Sequence, residues 1–428
     1  MRFIHPAKKT GSKIVVIIGG GFAGLNAAKT FINKENVFVI LIDQRNHHLF
    51  QPLLYQVATA GLSPADIAVP IRGQFSHAKN VEVHLGRVTG INLKENFISV
   101  DQDEFEFDSL IVACGAQHSY FAHPEWENFA PGLKTLEQAT EIRRRILSSF
   151  ENAENETNPE KQKALLTFAV VGGGPTGVEL AGAIADISRT VLVADFRRID
   201  PSSARIILIE AGARLLAAFD ESLSVKTKHD LEILGVEVRT SARVANITAE
   251  GVQVGDEFIP AACVFWAAGV QAAKLKFEPE VGLDRAGRVK VNKDLSIPGF
   301  ENAFVIGDMA SVEISPEKFV PGLAPAAIQA GKHCARTILA TYKGQPRSDF
   351  KYIDKGQMAT IGKHRAVMQS GPIKLGGYLA WLAWLFIHIF YLVGFKNRVS
   401  VLADWVWNYT FSKRGSRLIT ESQWQLKK

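Results

Sequence analysis

The chain has 428 residues, 47% of them hydrophobic, with 49 basic and 43 acidic side chains for a formal charge of +6. That length exceeds one ordinary core and implies two or three domains, and the charge is too mild, and shows no basic stripe before residue 390, for a nucleic-acid-binding protein. Cys114, Cys263 and Cys334 form no C-x-x-C pair and are too few for a disulfide framework or an iron–sulfur cluster, so a reducing, cytoplasmic setting is expected; residues 1–13 are short and polar and do not read as a secretory signal.

Residues 13–18 form a β-branched run with no charge after Lys13, the pattern of a strand buried on both faces of a parallel sheet. The turn after it carries Gly19, Gly21 and Gly24 in G-x-G-x-x-G spacing and opens an alanine-rich helical stretch, and residues 37–42 read as the next buried strand. In such a unit the first glycine permits the bend, the second lets backbone approach a pyrophosphate, and the third lets helix pack on strand. The helix N-terminus, with its unpaired N–H groups, favours phosphate. Asp43, at the end of the second strand, stands where a carboxylate accepts from ribose hydroxyls. A glycine-rich structural turn is the plainer reading of the same residues.

Residues 152–163, charged and rich in Asn and Glu, read either as a solvated helix end and loop near a domain junction or as an ordinary surface loop. The earlier grammar then recurs: a strand at 168–171, a turn with Gly172, Gly174 and Gly177, a helix at 178–187, a strand at 205–209 and an acid, Glu210. This is an internal duplication of a nucleotide-binding unit. An insertion over 189–203, containing Asp195, Arg197, Arg198 and Pro201, delays the acid. A carboxylate at Glu210 suits a free 2′-hydroxyl and repels a 2′-phosphate, which favours NADH over NADPH, with Arg214 nearby as a counterweight. Two dinucleotide sites point to a bound FAD and an exchanging NAD(H), with hydride passing between their rings. One further apolar strand, 303–306, ends at Gly307-Asp308.

Residues 377–395 carry no formal charge unless His388 is protonated, a run long enough to span a membrane. On a helical wheel Trp381, Trp384, His388, Tyr391 and Phe395 share one stripe. Aromatic residues with polar handles spread along a helix suit one lying at an interface or docked on a domain, since a spanning helix keeps them near its ends. Residues 401–411 are again aromatic but contain Asp404. The tail sets Lys396, Arg398, Lys413, Arg414, Arg417, Lys427 and Lys428 against Asp404 and Glu421, a balance suited to an anionic phospholipid surface. Two amphipathic membrane-binding helices are expected, and a homodimer interface on the same helices is compatible with that.

These residues resemble the two-dinucleotide-binding-domain flavoproteins, an α/β architecture in which a Rossmann-like NAD domain is inserted into a discontinuous FAD domain. The resemblance implies an FAD domain over 1–120 and 300–350, an NAD(H) domain over 121–299 and a C-terminal membrane-association region over 351–428. Within FVIGDMA (304–310) it puts Asp308 on the FAD ribityl chain. IVACGA (111–116) resembles the family's A-T-G turn, with Cys114 in place of threonine and so one hydroxyl fewer near the cofactor, and WAAGV (266–270) resembles its counterpart after the NAD domain. The disulfide reductases and sulfide:quinone oxidoreductases of this fold use paired cysteines, which the chain lacks.

Four segments resemble the type II NADH dehydrogenases, the single-subunit, non-pumping NADH:quinone oxidoreductases of bacterial membranes: HLFQPLLYQVA (48–58), DFRRIDP (195–201), APAAIQAG (324–331) and the tail from 377 to 398. That resemblance implies hydride transfer from NADH to FAD, then two electrons to a membrane quinone, on the cytoplasmic face of the inner membrane. It places Gln329 beside the quinone ring and Glu179 near the nicotinamide and flavin as part of a proton relay. Lys363, in IGKHRAV (361–367), falls near the flavin pyrimidine edge and quinone pocket. It carries FAD contacts to Gly19, Gly20, Gly21, Phe22, Ala23, Gly24, Asp43, Gln44, Val88, Cys114, Gly115, Asp308, Ala326 and Ala327. NAD(H) contacts fall on Gly172, Gly174, Pro175, Thr176, Gly177, Glu210, Ala268 and Gly269, and no metal is implied. Plainer readings stand beside these: Glu179 as a helix-N-terminal acid favoured by the dipole, Gln329 as a residue satisfying a helix end, and Lys363 as a solvated lysine. The alternative function is a soluble NADH-dependent flavin reductase that passes electrons to a protein acceptor, against which the aromatic tail argues.

Overall fold

The computed structural model describes residues 2–3, 7, 11–411 and 414–420; of the expected basic tail, Lys413, Glu421, Lys427 and Lys428 lie outside the described residues. The chain divides into two compact units. The first consists of residues 1–49, 69–117 and 270–355, the second of 50–68, 118–269 and 356–428.

In the first unit a six-stranded sheet has the order Ser296–Ile297, Phe300–Val305, Ser109–Val112, Lys13–Ile18, Val37–Asp43, Val81–Leu85. All neighbours are parallel except the first pair. Ile14 to Ile18 are buried without a break, which is why this strand reads as a continuous apolar run instead of alternating. The expected strand at 303–306 begins earlier, at Phe300, because only its C-terminal half is buried and the exposed half carries no hydrophobic signature. Helix Phe22–Thr30 lies against helix Ala324–Tyr342, and Gly331 allows the close approach: a Cβ there would stand 2.2 Å from the Ala23 carbonyl oxygen. A separate five-stranded sheet includes Lys276–Glu278 paired with Val88–Asn92. That pairing draws residues 270–299 into the first unit, whereas the sequence places them in the NAD(H) domain.

In the second unit four parallel strands run in the order Val236–Arg239, Arg205–Ile209, Thr167–Val171, Cys263–Trp266. Residues 50–68 belong here, their helix Leu54–Ala58 packing on helices Leu136–Asn155 and Pro175–Asp186. Residues 356–428 belong here too and do not form a separate body. Strand Gln357–Gly362 packs on Pro175–Asp186, with Gly182 so close that a Cβ would stand 2.6 Å from the Ile361 carbonyl oxygen.

Two local expectations change. Residues 152–163 are mostly helical, the end of Leu136–Asn155 and the start of Pro159–Leu165, the latter capped by Asn158. They lie inside the second unit and not at a junction. There the Glu154 carboxylate accepts the N–H groups of Arg197, Arg198 and Ile199 at 3.0 to 3.1 Å, so this helix end holds the 189–203 insertion in place.

The tail forms two helices, Tyr378–Tyr391 and Phe395–Phe411, and among the described residues no helix is long and apolar enough to cross a membrane. Trp381, Trp384 and His388 do share one buried face. The stripe stops there, because the helix ends at Tyr391 with Leu392 extended and the chain turns at Gly394 (φ +93°), leaving Tyr391 at the rim and Phe395 82% exposed. The outward faces carry Leu379, Leu382, Phe386 and Phe390 on one helix and Val399, Leu402, Val406, Trp407 and Phe411 on the other.

Candidate functional site

The two glycine turns are built alike. Gly19 and Gly172 have φ of +101° and +112°, a region in which a side chain is strained. At Gly24 and Gly177 a Cβ would stand 1.8 Å from the carbonyl oxygens of Gly19 and Gly172, so the helix can meet the strand only if the third glycine has no side chain. At Gly21 and Gly174 no atom lies within 4 Å of where a Cβ would be, and these residues are the N-caps of helices Phe22–Thr30 and Pro175–Asp186. Neither helix has a side-chain cap, so its first N–H groups remain available to an anion. The residues present therefore fit a pyrophosphate at each turn.

Each acid is fastened to its turn. Gly20 donates its N–H to Asp43 Oδ2 at 2.6 Å and Arg45 donates to Oδ1 at 2.7 Å. Gly173 and Gly212 donate to the two Glu210 oxygens, both at 2.5 Å. Carboxylate oxygens have lone pairs beyond these, so both acids can still accept from hydroxyls. Arg214 is engaged elsewhere, donating to the carbonyls of Ala217 and Phe219, which removes the counterweight to NADH. Ala268 lies at the floor of the second turn, its backbone 2.7 Å from a Cβ built on Gly172, and Gly269 follows at φ +73°.

Elsewhere in the first unit, Gly307 and Asp308 form a tight turn, and the Asp308 carboxyl lies near Gly322, just before helix Ala324–Tyr342. That helix also begins without a side-chain cap, and Ala326 and Ala327 are in its first turn. Gln44 is exposed and accepts from the Arg87 guanidinium, and Val88 begins the neighbouring strand. Cys114 points its thiol at the Ile18 carbonyl, ahead of Gly115 at φ +72°. Burial pushes its pKa up to about 12, and the cysteines are free thiols, so none is a ready nucleophile or redox partner. Gln329 closes both ends of its amide on Ile353, donating to the carbonyl at 2.9 Å and accepting from the N–H at 3.0 Å.

In the second unit Glu179 and Lys363 line one small open cleft, together with Tyr55, Asp186, Tyr409 and Arg414. Burial raises the Glu179 pKa to about 8, with the Thr360 N–H 3.5 Å away as a weak opposing contact, so the carboxyl holds a proton at neutral pH. Lys363 is not a solvated lysine: its ammonium donates to the Tyr409 carbonyl at 2.7 Å and its N–H to Asp186 Oδ2 at 2.9 Å.

Sequence reasoning left several residues unassigned. His48 is 2% exposed and donates from Nδ1 to the Gly20 carbonyl at 2.9 Å, pinning the first turn; burial lowers its pKa to about 4 and keeps it neutral. A side-chain chain runs from Trp405 through Gln56 (2.7 Å) to Tyr55 (2.8 Å). Arg414 corrects an expectation: the sequence sets it among the tail cations for an anionic surface, whereas it turns inward, donates to the Thr59 carbonyl at 2.7 Å and lines the cleft. The repeat of carboxyls at Glu179 and Asp186, on one helix face, was the available signal for the second of them.

The sequence profile of the pyridine nucleotide-disulphide oxidoreductases matches residues 13–331, and that of the NDH2 C-terminal domain matches residues 355–414. The type II NADH:quinone oxidoreductase Ndh of Mycobacterium tuberculosis is 44% identical, covering 96% of this chain and 90% of that protein. The type II NADH:quinone oxidoreductase of Staphylococcus aureus (strain NCTC 8325 / PS 47) is 29% identical over 83% of this chain and 89% of its own length. NDH2 from Plasmodium falciparum, solved in complex with NADH, superposes with a TM-score of 0.85 at 21% identity, covering 96% of this chain and all of that one, a likeness of fold.

Proposed function

The chain belongs to the type II NADH:quinone oxidoreductases, and from that premise we propose how its residues share the work. It carries reducing equivalents from NADH to a quinone with FAD and NAD(H) as cofactors. The flavin supplies acceptance of a hydride and its return as two electrons.

The first unit holds FAD: the N–H groups opening helix Phe22–Thr30 face the pyrophosphate, Asp43 takes ribose hydroxyls, and Asp308 takes the ribityl chain. The second unit holds NADH through Gly174, Pro175, Thr176 and Gly177, with Glu210 on the ribose. Glu179, protonated at neutral pH, keeps a proton for the quinone, and Lys363, held by Tyr409 and Asp186, fixes part of the same cleft. Gln329 meets the quinone ring by exchanging its Ile353 partner, itself 63% exposed, for a quinone carbonyl. The observation that carries this reading is the repeated turn, one in each unit, each with an acid fastened to its middle glycine.

The outward apolar faces of the two C-terminal helices rest on lipid, with Lys396 and Arg398 toward anionic headgroups on the cytoplasmic face, while Arg417 is taken up by an ion pair with Asp195. Each large side chain buried there contributes roughly 1.5–3 kcal/mol as an upper bound. A homodimer on the same face is the second reading. Phe386→Asp with Phe390→Asp separates them: loss of liposome flotation with an unchanged sedimentation mass supports lipid, and dissociation of a dimer in detergent supports the interface.

An anaerobic spectrum tests the whole. NADH should bleach the yellow protein and a short-chain quinone should restore the colour. Gln329→Leu should slow only the second step; equal slowing of both would remove Gln329 from the quinone site.

A further inference from the structure

Helix Pro175–Asp186 directs two carboxyls into the same cleft, Glu179 and Asp186. At i and i+7 they share a face and stand about 10 Å apart along the axis. Both side chains are only partly covered, whereas Leu180 to Ala185 between them are buried, so beyond its first turn this helix reaches solvent at the cleft. Cations surround Asp186: Arg414 from the tail, Lys363 and Arg365 from the strand and turn after Gln357, and Arg189 one turn on along its own chain. Tyr409 and His364 face it as well. Its one described hydrogen-bond donor is the Lys363 N–H, since the Lys363 ammonium is held by Tyr409 and the Arg414 guanidinium reaches the Thr59 carbonyl. Asp186 thus has carboxyl lone pairs free toward the cleft.

We propose that Asp186 is the outer station of a proton route to Glu179, taking protons from solvent at the cleft and passing them inward along cleft water. The inference rests on the reading of Glu179 as the proton donor to quinone. In each turnover NADH, one proton and quinone become NAD⁺ and quinol. The hydride brings two electrons and one hydrogen nucleus, the route supplies the remaining proton, and Asp186 is reprotonated by water. Burial raises the pKa of both carboxyls, that of Glu179 to about 8, while the cations near Asp186 oppose its rise.

The test uses the full chain in membranes and follows flavin bleaching by NADH and recolouring by quinone separately. Asp186→Asn keeps an oxygen for the Lys363 N–H but cannot relay. Recolouring should slow about tenfold at pH 8 with bleaching unchanged, added formate should restore the rate with its concentration, and Asp186→Glu should recover most of it. Slowing of both steps, or no response to formate, would make Asp186 a structural anchor and overturn the proposal. Glu179→Gln run alongside separates the two claims. If it slows recolouring while Asp186→Asn does not, only the Asp186 route is wrong; if it recolours at the full rate, the Glu179 reading fails and the route with it.

Discussion

The turn at Gly19 and the turn at Gly172 agree in nearly every backbone detail and differ in what holds the middle carbonyl. Both middle glycines sit under an aliphatic side chain, Ile71 over Gly20 and Leu215 over Gly173, where a Cβ would stand 2.5 and 2.6 Å away. The Gly20 carbonyl, however, accepts from the buried His48 ring, whereas the Gly173 carbonyl accepts from the backbone N–H of Leu216 at 2.8 Å. A side chain that can titrate holds the first turn, and a peptide group that cannot holds the second. The steric parts of a dinucleotide turn are thus repeated faithfully, while its anchoring is open to variation.

The largest effect should come from the shared steric part. Gly24→Ala and Gly177→Ala each force a methyl against a carbonyl that cannot move away, at a cost of about 3 kcal/mol. Gly24→Ala should purify with little flavin; Gly177→Ala should keep its yellow colour and lose NADH-driven bleaching. If each change removed both nucleotides, the turns would not act as separate sites.

Glu210→Arg comes next. It strips the acceptor from Gly173 and Gly212 and from the ribose, which should weaken NADH by about 2–3 kcal/mol, near a hundredfold in Kd, with flavin content unchanged. An unaltered NADH-to-NADPH preference in titrations would take Glu210 out of the ribose site.

His48→Asn probes the difference between the turns directly. The His48 pKa is depressed from 6.5 to about 4, so between these values the unfolded chain binds a proton that the folded chain refuses. Stability of the first unit therefore falls as pH drops from 6.5 toward 4 and levels off below. The asparagine keeps a donor for the Gly20 carbonyl without titrating, so flavin release on acidification should lose its dependence in that window. NADH affinity, read at the second turn, should respond to neither the substitution nor this ionisation. The smallest effect belongs to Arg214→Met: with its guanidinium already on Ala217 and Phe219, the change should leave nucleotide preference within twofold and cost about 1 kcal/mol of stability.

Much of this was legible in the residues because it is local. The strands Lys13–Ile18 and Thr167–Val171, the spacing of both glycine turns and the acids that follow depend on neighbours within one βαβ unit, where periodicity and glycine position carry the information. The helix end expected within 152–163 is there, but the exposed half of Phe300–Val305 and the second helix, Pro159–Leu165, are not legible because neither has an apolar face to announce it. The aromatic stripe of the tail was read one turn too far, since a helical wheel knows nothing of where the chain bends, here at Gly394.

By itself the sequence determined the two strand–turn–helix units, their order and which carboxylate follows each, because steric demand at a glycine and burial of a strand are written in the residues that experience them. Only the tertiary structure decided which segments share a unit, that His48 reaches the Gly20 carbonyl, that Arg214 is occupied, and that Glu179, Asp186, Lys363 and Arg414 line one cleft. Those pairings join residues far apart in the chain, and the desolvation that raises the Glu179 pKa arises only once the segments around 55, 179, 360 and 409 have packed together.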